Sequence, residues 1–88
     1  MRRKAVTSTN IVSVGYDPAV RTLEIEFRGG RIYQFQQITA YRYRKLMTAD
    51  SKGVYFARMI RGRFPYARVN ETLSRLPMER FNEKNWSN

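Results

Sequence analysis

Neither cysteine nor histidine occurs among the 88 residues. Without thiols there is no disulfide framework, no thiolate nucleophile and no zinc–thiolate site. Without imidazole the usual general base at neutral pH, the usual catalytic triads and the common transition-metal clusters go as well. Long apolar runs are missing too. No stretch approaches the ~20 residues of a membrane helix, and the basic start MRRKAVTSTN lacks the apolar core of a signal peptide. There is no Walker loop and no internal repeat. Acidic residues are scarce, 7 against 17 Lys plus Arg. Glu24 and Glu26 share a strand face and have the spacing to hold a divalent ion, but alternating carboxylates on such a strand read as its solvated side. The expectation is a soluble, cytoplasmic binding protein, not an enzyme, with no cofactor, no bound metal and no membrane partner.

What is present is an apolar fraction of 42%, of which aromatics make 14% of the chain. That is too much for intrinsic disorder. A chain this short makes one domain whose folding buries only about 60–65% of the unfolded surface. The net charge is +10, and so basic a domain is drawn to polyanions, because phosphate contacts release condensed counterions. The excess is localised. Arg2, Arg3 and Lys4 form a basic arm, and over residues 41–68 Arg42, Arg44, Lys45, Lys52, Arg58, Arg61, Arg63 and Arg68 face only Asp50. Residues 5–40 and 69–88 are each neutral in sum.

IVSVGY (11–16) is β-branched and ends at the turn signal Asp17-Pro18. TLEIEF (22–27) alternates strictly, with Leu23, Ile25 and Phe27 on one face. RGG turns the chain, and RIYQFQQ returns as a third strand. A two-residue Gly29-Gly30 loop places Tyr33 opposite Glu26, facing outward. A three-residue loop shifts the register by one and puts Tyr33 and Phe35 on the apolar face. The cost of leaving two large rings in water favours the second. Thr39 is placed to cap a helix in which Tyr43, Leu46 and Met47 share a stripe, and Ser51 to cap a second with Tyr55, Phe56, Met59 and Ile60. Gly62 and Pro65 end it. The expected fold is α+β: a three-stranded antiparallel meander with two helices on one face, spanning residues 1–68. Residues 69–88 read as a polar tail, loosely held, with a short helix around Glu71 to Leu76 and Trp86 free to dock.

VTSTNIVSVGYD, TLEIEFRGGRIYQF and ADSKGVYFARMIRGRF, in that order and spacing, resemble the KTSC domain, a short bacterial and phage module also found at the C-terminus of some lysyl-tRNA synthetases. The likeness runs from about Val6 to Phe64. The family's serine pair corresponds to Ser8 and Thr9, followed by Ile11 and the Gly15-Tyr16-Asp17 element. Its central Tyr-x-Tyr appears as Tyr33-Gln34-Phe35, so the second hydroxyl is missing. Its Ala-x-Ser-x-Gly-x-Tyr-Phe element is met by Ala49, Ser51, Gly53, Tyr55 and Phe56, closed by Ile60 and Arg61. The resemblance implies a small α+β domain with a role in RNA binding.

The candidate phosphate contacts are therefore Arg42, Arg44, Lys45, Lys52, Arg58, Arg61 and Arg63, with Arg2, Arg3 and Lys4 of the arm. Arginine's planar fork suits phosphate oxygens. Arg61 has an alternative place, paired with Asp50 or capping a carbonyl. Tyr41 and Tyr66 are the candidate base-stacking rings, with Tyr33 behind them, because aromatics beside a basic groove stack unpaired bases. The exposed N–H groups after Ser51 are a further place for a phosphate. The expected partner is nucleic acid, RNA ahead of DNA. The rival is an acidic protein surface docked by the basic face of a phage-type accessory module.

Overall fold

The computed structural model describes residues 1–69. The elements run β1 (Lys4–Ala5), β2 (Ile11–Asp17), β3 (Thr22–Phe27), β4 (Ile32–Phe35), α1 (Ala40–Thr48), α2 (Lys52–Met59) and β5 (Tyr66–Val69). The strands form one antiparallel sheet in chain order, β1 to β5, and both helices lie in the connection from β4 to β5.

The β3–β4 turn takes the three-residue form. Phe27 N–H donates to Arg31 O at 2.8 Å, and Gly30 N–H to Phe27 O at 3.0 Å, leaving Arg28, Gly29 and Gly30 in the loop. Both glycines have positive φ, 95° and 87°, a region that disfavours any other residue. In consequence Tyr33 pairs with Ile25 and Phe35 with Leu23. Phe35 is buried and Tyr33 half-buried, as the odd register requires.

On β2 the pairing of Val14 with Ile25 and Tyr16 with Leu23 continues the same face, and the register slips at Val12. This bulge lets Ile11 and Val14, an odd number of residues apart, both reach the core. α1 and α2 cover that face. Thr39 Oγ1 accepts from Arg42 N–H and Ser51 Oγ from Val54 N–H, so both helices begin at hydroxyl caps. Phe56 meets the rings of Phe27 and Phe35 edge-on at 5.2 and 5.3 Å. Tyr43 stacks on Tyr16 at 4.7 Å, whose hydroxyl donates to Ile38 O. Ile11, Leu23, Ile25, Ile38, Leu46 and Ile60 are fully buried, each contributing about 1.5–3 kcal/mol of transfer free energy.

The sheet has five strands where three were expected. β1 is two residues of the basic arm, and a pair of residues carries no periodicity to read. β5 is four residues after Pro65, too short for its alternation to stand out, and its partner β4 lies some thirty residues back, with Ile32 opposite Val69. The expected tail, with its short helix and Trp86, falls outside the described residues except for Val69, which belongs to β5.

Candidate nucleic-acid interface

The arm is partly drawn into the fold. Gly15 on β2 lies under Arg2, where a Cβ would come within 2.6 Å of the Arg2 carbonyl oxygen. The strand can pass so closely only over glycine, and Arg3 is thereby held above the sheet face that carries Ser13, Glu24 and Glu26. Arg3 Nη1 donates to Glu24 Oε2, Nε donates to Ser13 Oγ at 2.8 Å, and Nη2 sits 3.8 Å from Glu26. Gln34 Nε2 donates to the other Glu24 oxygen at 2.7 Å. The guanidinium occupies the position considered for a divalent ion between the glutamates. Two of its nitrogens, Nε and Nη1, are thereby hydrogen-bonded within the fold. Arg2 and Lys4 are exposed.

On α1, Tyr41, Arg44, Lys45 and Thr48 form the exposed stripe opposite buried Leu46. Lys45 Nζ stands 5.9 Å over the Tyr41 ring, and Tyr41 is 57% exposed. Arg42 is half-buried and donates from Nη1 to Tyr55 Oη at 3.2 Å, tying α1 to α2. On α2, Val54, Arg58 and, two residues past the helix end, Arg61 follow the exposed side, with Lys52 half-buried in the first turn. Arg63 folds back so that Nε donates to Arg58 O at 2.9 Å. Arg61 makes no side-chain hydrogen bond or ion pair among the described residues, so neither the Asp50 pairing nor the carbonyl cap is adopted.

Between β4, β5 and α2 lies a cleft of about 400 Å³. Its aromatic lining is Phe27, Tyr33, Phe35, Phe56 and Tyr66. Its polar side chains are Asn10, Arg31 and Arg61. Tyr33 and Tyr66 are 6.0 Å apart with their planes inclined by 47°, and Phe35 lies 5.9 Å from Tyr66. Of the residues singled out from sequence, Tyr33, Tyr66 and Arg61 meet here, whereas Tyr41, Arg44 and Lys45 lie on α1. Arg31 and Asn10 carry no signal in sequence, because Arg31 reads as part of a neutral stretch and comes to share a cleft with Arg61 only in the folded chain. The N-terminal loop that presents Asn10 is anchored by Arg28, whose Nε donates to Thr9 O at 2.8 Å, and by Ser8 Oγ, which accepts from Ile11 N–H.

Among the described residues no helix is long and apolar enough to cross a membrane, and no cluster of metal-ligating side chains occurs. The fold is that of a small α+β domain with an antiparallel sheet and two helices. Residues 7–64 match the model of the KTSC domain, and the chain belongs to that family. It is similar to a KTSC domain protein of Yersinia pestis of known crystal structure, at a TM-score of 0.75 and 38% identity, covering 78% of this chain and 97% of that one. An uncharacterized protein of Stutzerimonas stutzeri is 38% identical over 56 residues, 64% of this chain and 79% of its own. A lysine–tRNA ligase of a Nostoc species is 36% identical over 55 residues, 62% of this chain but 10% of the ligase.

Proposed function

We propose that this protein is a sequence-tolerant nucleic-acid-binding module, directed to RNA, whose phosphate contacts come from the arginine-rich segment of α1, α2 and the turn after α2. One observation carries the reading. Every ion pair among the described residues runs through Arg3, so Arg44, Lys45, Lys52, Arg58, Arg61 and Arg63 present charge that no carboxylate of the described fold neutralises. Uncompensated arginines beside exposed tyrosines favour a phosphate backbone with unpaired bases over a patch of acidic side chains, since every base offers the rings an aromatic face and aliphatic carboxylates do not. The similarity to a segment of a lysine–tRNA ligase, an enzyme whose name places RNA among its substrates, supports the same choice.

The test is a titration of labelled single-stranded and duplex RNA and DNA at several salt concentrations. The logarithm of the affinity is expected to fall linearly with the logarithm of salt, and single strands to bind more tightly than duplexes. Absence of binding at low salt, or binding without a salt slope, overturns the reading. A stoichiometric protein captured from nuclease-treated lysate, with no oligonucleotide bound, would favour the acidic-surface rival instead.

A further inference from the structure

We propose that the cleft between β4, β5 and α2 receives one unpaired nucleobase, with the adjoining phosphate held by Arg31 and Arg61. This rests on the nucleic-acid reading and gives it a specific subsite away from the α1 stripe. The volume of about 400 Å³ falls in the range of small-ligand sites, ~300–1,000 Å³. Phe27, Phe35 and Phe56 are buried and packed edge to face, which makes a rigid floor. Tyr33 is half-buried and Tyr66 is 39% exposed, so the rings above that floor keep surface for a ligand. Such a lining selects a flat, π-faced group.

Charge narrows the choice. Among the described residues no carboxylate lines the cleft, and the two charged side chains there are both arginines. Arg31 uses Nη2 on Arg28 O at 3.2 Å, which steadies the guanidinium and leaves its other donors available, and Arg61 is unengaged among the described residues. A flat aromatic group attached to an anion is the chemistry of a nucleotide. The edge of the base would meet little: among the described residues Asn10 provides the one side-chain amide of the lining, so the subsite detects that a base is present more than which base it is. Room is kept by small residues on the helix side, Gly53, Ala57 and Gly62. A Cβ at Gly62 would meet nothing within 4 Å, which shows how open that wall is.

The experiment uses the full chain and a fluorescently labelled oligouridylate of about ten nucleotides, within the site sizes of single-strand binders, beside an abasic ribose-phosphate oligomer of equal length. Ala57→Leu fills the cleft with a good helix former, Arg61→Gln removes a guanidinium and Tyr66→Ala a ring, folding being checked by thermal unfolding. Oligouridylate affinity is expected to fall about tenfold with each variant, and the abasic oligomer to bind the unaltered chain about tenfold more weakly while ignoring Ala57→Leu. Equal binding of the two oligomers, or no effect of folded Ala57→Leu, overturns the cleft proposal and leaves the nucleic-acid reading standing. Failure of both oligomers to bind at low salt overturns the two together. A polyglutamate peptide that binds in their place and is blocked by Ala57→Leu assigns the cleft to an acidic peptide and overturns the proposal.

Discussion

Arg3 closes over Glu24, donating to one carboxylate oxygen while Gln34 donates to the other at 2.7 Å. Glu24 is 5% exposed, so this is a carboxylate inside the fold whose counter-charge arrives from the first residues of the chain. Removing one partner leaves a buried charge unmet. Arg3→Met is therefore expected to cost about 3 kcal/mol in urea unfolding, and the double variant Arg3→Met/Glu24→Leu to regain most of it, since a buried pair replaced by apolar groups is near neutral. Because the Arg3 charge is already paired with Glu24, Arg3→Met should leave the salt slope of oligonucleotide binding unchanged.

Gly15 makes that geometry possible. With a Cβ 2.6 Å from the Arg2 carbonyl, Gly15→Ala forces β1 off the sheet edge, at a cost of about 1–3 kcal/mol. Hydrogen exchange should show it first at the Val6 amide, which donates to Val12 O at 3.1 Å. In a chain lacking residues 1–3 the clash has no second party. There Gly15→Ala should add little to the loss caused by the truncation, and a full additive cost would show that the clash is not the cause.

Ser51 separates a structural from a binding role for the first turn of α2. Its hydroxyl accepts the Val54 N–H at 3.2 Å, the ordinary work of a cap. Ser51→Ala is expected to lower stability by about 1 kcal/mol, measured by urea unfolding, with oligonucleotide affinity unchanged at a temperature where both proteins are folded. A selective loss of affinity would instead place a phosphate at that helix start.

The parts of this fold that are legible in the sequence are those fixed by neighbours along the chain. Thr39 and Ser51 cap because a hydroxyl sits three residues before a free N–H, and the odd β3–β4 loop follows from two glycines and the cost of exposing Phe35. What escapes depends on distant pairing. Lys4–Ala5 is a strand only because Val14 and Ser13 lie opposite, and Tyr66–Val69 only because Phe35 to Ile32 do. The same holds for the site. Tyr33, Tyr66 and Arg61 are visible as residue types, but the cleft that joins them to Arg31 and Asn10 exists only once β5 has docked. That Arg3 pairs with Glu24 escapes for the same reason, since nothing local shows it.

The exposed arginines of the two helices and the cleft should be separable by what they read. Arg44 and Arg58 are exposed, and neither side chain is hydrogen-bonded to a carboxylate among the described residues, so each can act on phosphate as a delocalised charge. Arg44→Gln/Arg58→Gln is expected to lower affinity for every sequence alike and to reduce the slope of log affinity against log salt by about 1.4, or about 0.7 for each single-strand phosphate that is no longer neutralised. Stability should change by no more than about 0.5 kcal/mol, as at other surface positions. Discrimination between the base-containing and abasic oligomers should persist, because it arises at Tyr33 and Tyr66. A double variant that abolished that discrimination while keeping the salt slope would place the bases on α1 beside Tyr41, and the phosphates in the cleft.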